Sequence, residues 1–98
     1  MKDFSERVYN EVMKGRNVSL KSAYKAFNYF KSECEEFNDE DIPQGNLDGQ
    51  FLHSMEALIG IGNYIVFHTN DRDTERYVKS IEERKRKFDE KIDNILGL

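Results

Sequence analysis

One cysteine, one proline and no tryptophan stand in a chain of 98 residues. Cys34 alone excludes an internal disulfide and fits a reducing compartment. With Pro43 the sole proline, long stretches are free of the residue that most strongly breaks helices. No run approaches the ~20 continuous apolar residues needed to span a bilayer, so a membrane-spanning segment is not expected. The opening Met1-Lys2-Asp3-Phe4-Ser5-Glu6 has no apolar core behind its lysine, unlike a secretory leader. The expectation is a cytoplasmic protein of one domain, residues 1–98, with no membrane partner.

Positive charge is missing from a long interior stretch. Between Ser32 and Asp71 there is no Lys or Arg, while Glu33, Glu35, Glu36, Asp39, Glu40 and Asp41 crowd into one short run. With a net charge of −4 the chain lacks the basic footprint of a nucleic-acid binder. The run Arg84-Lys85-Arg86-Lys87 does not change this, because four consecutive helical residues point in four directions.

What is present is a set of large apolar residues at helical spacing. Seven Phe and five Tyr recur with a period, which opposes disorder although only 38% of residues are hydrophobic. Helix 1 is expected from Asp3 to Lys14, with Asp3 and Glu6 as a capping box and Gly15 as a left-handed stop. Helix 2 is expected from Asn17 or Ser19 to Phe37, its seam formed by Leu20, Ala23, Phe27, Phe30, Cys34 and Phe37. A loop rich in Asx, Pro and Gly follows over residues 38–49.

The next segment, Phe51 to Phe67, carries one acid, Glu56, and no Lys or Arg. On a helix it divides into three stripes. Phe51, Leu52, Met55, Leu58, Ile59, Gly62, Ile65 and Val66 form a broad apolar face; His53, Glu56, Gly60 and Asn63 form a polar one; Ala57, Ile61, Tyr64 and His68 form a half-apolar second surface. Helix 4 is expected from Asp73 to Leu96, with Val78, Ile81, Lys85, Phe88, Ile92 and Ile95 on heptad spacing. Glu75–Lys79, Glu82–Arg86 and Glu83–Lys87 are favourable i,i+4 pairs. The break before helix 4 has capping residues but no Gly or Pro. A helix continuing straight through would be ~70 Å long and would need a second chain to cover its stripe. The fold expected is an all-α, small antiparallel (up-down) four-helix bundle, with a long hairpin of helices 3 and 4 as its dimeric variant.

Catalytic and metal chemistry find little support. His53 and His68 are 15 residues apart, ~22 Å along one helix, and cannot share an ion. Asp39 and Asp41 open like a calcium loop, but Pro43 takes a ligand position and Gln50 stands where a Glu is required. No metal or cofactor is expected. Glu33/Glu36 and Glu90/Asp93 resemble the carboxylate pairs of all-α nucleotide pyrophosphohydrolases, yet they lie away from the apolar seams and diverge. His53 on a bundle helix is similar to the phospho-accepting His of histidine phosphotransfer domains, but Glu56 occupies the place of the Lys that would attract the phosphoryl group. Cys34 lies on the helix 2 seam, where a thiol serves as a small apolar residue.

The remaining signal is the acidic run. Glu33, Glu35 and Glu36 sit at a helix C-terminus, where the dipole disfavours negative charge. A residue pattern that breaks a local rule points to function. The expectation is a non-enzymatic module that docks on a basic protein partner through Glu33, Glu35, Glu36, Asp39, Glu40 and Asp41, with Tyr29 or Tyr64 as an aromatic anchor. Small acidic helical proteins work in this way as inhibitors, immunity proteins or regulators. Ile61, Tyr64 and His68 are the expected homodimer contact wherever that face is left uncovered. The alternatives are phosphotransfer or enzymatic chemistry on His53/Glu56, and a purely self-assembling structural protein. Internal neutralisation of the acidic end by Arg84, Arg86, Lys87 and Lys91 competes with the docking reading.

Overall fold

The computed structural model of the chain describes residues 1–36 and 49–97. Phe37, the expected loop up to Asp48, and with it Asp39, Glu40 and Asp41, lie outside the described residues. Among the described residues four helices are formed: α1 (Lys2–Met13), α2 (Leu20–Glu35), α3 (Gly49–Thr69) and α4 (Arg72–Leu96). The protein is an all-α helical bundle.

Local chemistry sets most of the helix ends. Ser19 caps α2 by accepting the Ser22 amide at 3.1 Å. Gly15, at φ 77°, closes α1: its amide bonds Val12 O and the next amide bonds Glu11 O, which satisfies two orphan carbonyls. The expected capping box of α1 is not formed. The helix starts at Lys2 with Met1 as an uncapping N-cap, and Glu6 turns instead to His53 on α3. A tertiary hydrogen bond has replaced a local one.

The α3–α4 break is made by Asn70, held at φ 59°, and by Asp71. Asn tolerates this left-handed conformation better than other residues with a side chain. Asp71 then caps α4, accepting the Thr74 amide and hydroxyl at 3.2 and 2.9 Å. Tyr24 of α2 donates to the same carboxylate at 2.7 Å, so the turn is pinned to a third helix. The continuous ~70 Å helix is thereby replaced by a hairpin within one chain, and the molecule's longest dimension is 42 Å.

α3 runs in the opposite direction to α2 and to α4. Tyr24 meets Asp71 while Phe30 meets His53, and Gly62 meets Val78 while Phe51 meets Phe88. α3 is the hub, packed on α1, α2 and α4. Phe30, Phe51, Met55, Leu58, Ile61 and Ile65 are its fully buried centre. Gly62 is required there, because a Cβ would come within 2.2 Å of Val78 Cγ2.

Two seam assignments shift. Leu20 is exposed and Ala26 takes its place in the α2 core. On α3, Phe51, Met55, Leu58, Gly62 and Ile65 are buried as expected, whereas Leu52, Ile59 and Val66 are only half-buried. Ala57 and Ile61, expected on a half-covered surface, are also at 0% exposure. On α4, Val78, Ile81 and Phe88 are buried as their spacing requires, and Lys85 is half-buried between them.

α1 packs on α2 and α3 but, among the described residues, makes no helix contact with α4. The outward stripe of α3 therefore stays open between α1 and α4. Among the described residues no helix is long and apolar enough to cross a membrane.

Candidate functional site

The carboxylates at the end of α2 are placed without cationic partners. Glu35 and Glu36 are exposed and Glu33 is half-exposed, and none of the three forms an ion pair among the described residues. Of Arg84, Arg86, Lys87 and Lys91, the cations expected to neutralise them, Arg86 is engaged on its own helix. Arg86 holds Glu83 at 2.5 Å and also Glu90, both on its own helix. Lys85 holds Asp89 at 3.4 Å and Lys79 holds Glu75 at 3.7 Å. The Glu75–Lys79 pair is as the spacing requires, while Arg86 selects Glu83 and Glu90 in place of Glu82. The Arg84 guanidinium lies 4.8 Å from the Phe51 ring centre, and Lys31 covers Tyr77 at 4.7 Å.

Tyr29 is half-buried beside this end, its ring edge-on to Phe30 at 5.2 Å. Burial pushes its phenol pKa up, and a hydrogen bond to Glu33 and the charges of Glu33, Glu6 and Glu36 add to the effect. Tyr77 behaves alike: burial first, then Glu35 and Cys34, push it up to about 12, against a lowering by Arg84.

His53 is not a free surface imidazole. Its Nε2 bonds both Glu6 oxygens at 2.8 and 2.9 Å, and its ring stands edge-on to Tyr9 and Phe30. The acid beside it in space is Glu6 from α1, not the sequence neighbour Glu56. The pair ties α1 to α3. Ser5 and Ser54 are buried, and among the described residues their hydroxyls have no hydrogen-bond partner.

The residues expected to mediate self-association are separated. Ile61 is fully buried within its own chain. The Tyr64 hydroxyl donates to Val18 O at 2.7 Å and accepts the Val18 amide at 2.9 Å, so it fastens the α1–α2 connection to α3. Only His68 is exposed, stacked at 4.3 Å on Tyr64 and next to Phe67, which is 83% exposed.

The cleft between α1 and α4 was not anticipated. Its floor is Glu56, Ile59, Gly60 and Asn63 of α3, and its walls are Tyr9 and Met13 of α1 and Glu82, Lys85, Arg86 and Asp89 of α4. Its volume is about 720 Å³. The polar stripe of α3 was visible in the spacing; that two helices would flank it was not. Gly60 lets α1 approach, since a Cβ there would lie 3.1 Å from Met13 Sδ.

Comparison with known proteins finds no matching family model, curated protein or solved structure. Among the described residues, no three His, Cys, Asp or Glu side chains are grouped to hold a metal ion.

Proposed function

We propose that this chain is a small acidic protein-binding module that docks on a basic partner, as an inhibitor, immunity or regulatory protein does, through the end of α2 and the acids that follow it. The observation that carries this reading is that, among the described residues, Glu33, Glu35 and Glu36 have no ion-pair partner while Lys79, Lys85 and Arg86 are paired along α4. Surface carboxylates of one sign, left uncompensated, steer a basic partner and speed its encounter. Tyr29, rigidly seated beside them, supplies the kind of aromatic anchor that interfaces favour. A phosphotransfer role is less well supported, since Glu6 occupies Nε2 of His53 and a second carboxylate, Glu56, lies one turn on.

The test is capture from the host lysate at low and high salt, with the wild type beside a variant in which Glu35, Glu36 and Asp39 are reversed to Lys. A partner held by the wild type, released by salt and not captured by the variant supports the reading. Equal capture by both proteins overturns it.

A further inference from the structure

The open stripe of α3 runs further than the cleft itself. Glu56, Gly60 and Asn63 are spaced four and three residues apart, and Phe67 follows at a further four, so all share one helix face. From Glu56 to Phe67 the stripe is ~16 Å long, three helical turns. Met13, 60% exposed, borders it on α1, and Phe67, 83% exposed, stands at its far end. Large apolar side chains left so exposed along a recess mark a contact surface.

The shape of the recess selects its occupant. A trough between two helices, floored by a third, accepts a single convex rod and is the groove geometry in which amphipathic helices bind. A second folded copy offers no such rod, because each of its helices is seated in its own bundle and its α3 stripe is recessed in the same way.

Charge selects the sign. The cations on the rim, Lys85 and Arg86, are held by Asp89, Glu83 and Glu90. Glu56 and Glu82 form no ion pair among the described residues, so the uncompensated charge in the trough is negative. Burial first, then the charges of Glu56 and Glu6, push the Tyr9 phenol pKa up.

We propose that the cleft between α1 and α4 seats a basic amphipathic helix of a partner protein, its apolar face on Met13, Ile59 and Phe67 and its Lys or Arg side chains on Glu56 and Glu82. This rests on the reading of the protein as a module for basic partners, and states which structure of the partner it takes. The test pans the whole chain against a display library of peptides about five helical turns long, unbiased in charge. The affinities of enriched peptides are then measured on three variants: Glu56→Lys with Glu82→Lys, Asn63→Arg, and Glu35→Lys with Glu36→Lys. All these positions are exposed, so the fold is retained.

Enrichment of helical peptides with Lys or Arg beside an apolar face, weakened at least about tenfold by both cleft variants, is the expected result. Acidic or uncharged winners, no enrichment, or affinities indifferent to the cleft variants overturn the proposal. If only the α2 variant weakens binding, the cleft is excluded and docking at the end of α2 stands. If only the cleft variants do, the cleft stands and the end of α2 is not the docking surface.

Discussion

α3 and α4 adjoin in sequence and are the two longest helices, yet they are held in place by different means. α3 is apolar on nearly every side and carries no ion pair with a Lys or Arg among the described residues; its stability comes from the three helices around it. α4 has a narrow apolar seam and laces its solvent face with its own pairs, Asp73–Arg76, Glu75–Lys79, Glu83–Arg86, Lys85–Asp89 and Arg86–Glu90. A helix stabilised by tertiary burial spends its surface on neighbours, and whatever those neighbours leave bare becomes a cleft. Arg76, Lys79, Lys85 and Arg86 are held by acids of α4 itself and are not shared with the carboxylates of other helices.

The comparison is broken most forcefully at Ile61. Ile61→Ala removes a fully buried side chain at the centre of α3 and is expected to cost about 2–5 kcal/mol, read as a lower urea midpoint with an unchanged slope. A loss of a few tenths would mean that α3 is not the hub.

A smaller effect is expected at the joint between the two helices. Asp71→Ala removes the α4 cap and the Tyr24 bond together and should lower Tm by several degrees. The hydrogen bond from Tyr24, then the Thr74 amide and hydroxyl, hold the Asp71 carboxyl below its ordinary pKa of 3.8. Its folded-state value is thus depressed, so its contribution is present above 3.8 and declines as pH falls below it. The difference in stability between wild type and Asp71→Ala should accordingly narrow under acid; a gap that widens there contradicts the assignment.

At Ser54 the sign reverses. Its hydroxyl is buried without a partner, a condition that costs about 1–3 kcal/mol, so Ser54→Ala is expected to raise stability by roughly 1 kcal/mol in the same unfolding measurement. Destabilisation would show that the hydroxyl is satisfied. The least effect belongs to α4: Arg86→Ala, on the solvent face, should leave Tm within error at physiological salt, because exposed pairs are weak and screened. A clear drop would make the α4 network a structural element in its own right.

Much of this fold was legible in the spacing of particular residues. Ser19 and Gly15 mark helix ends because their side chains, or lack of one, act on the adjacent backbone. Val78, Ile81 and Phe88 recur at heptad spacing because only one side of α4 meets the core. The acidic run at Glu33, Glu35 and Glu36 was equally plain, since charge is a property of residue type.

What the sequence left open was decided by which helix covers which. An apolar α3 could bury any of its faces; its contacts with α1, α2 and α4 buried Ala57 and Ile61 and left Glu56, Asn63 and Phe67 exposed. Glu6 could cap its own helix or bond His53, and only the approach of α1 to α3 favoured the second. Composition and periodicity thus determined four helices, their seams and a negative end. The cleft, the His53–Glu6 tie and the choice of Arg86 partners required tertiary structure, because each depends on distances between segments that local sequence does not encode.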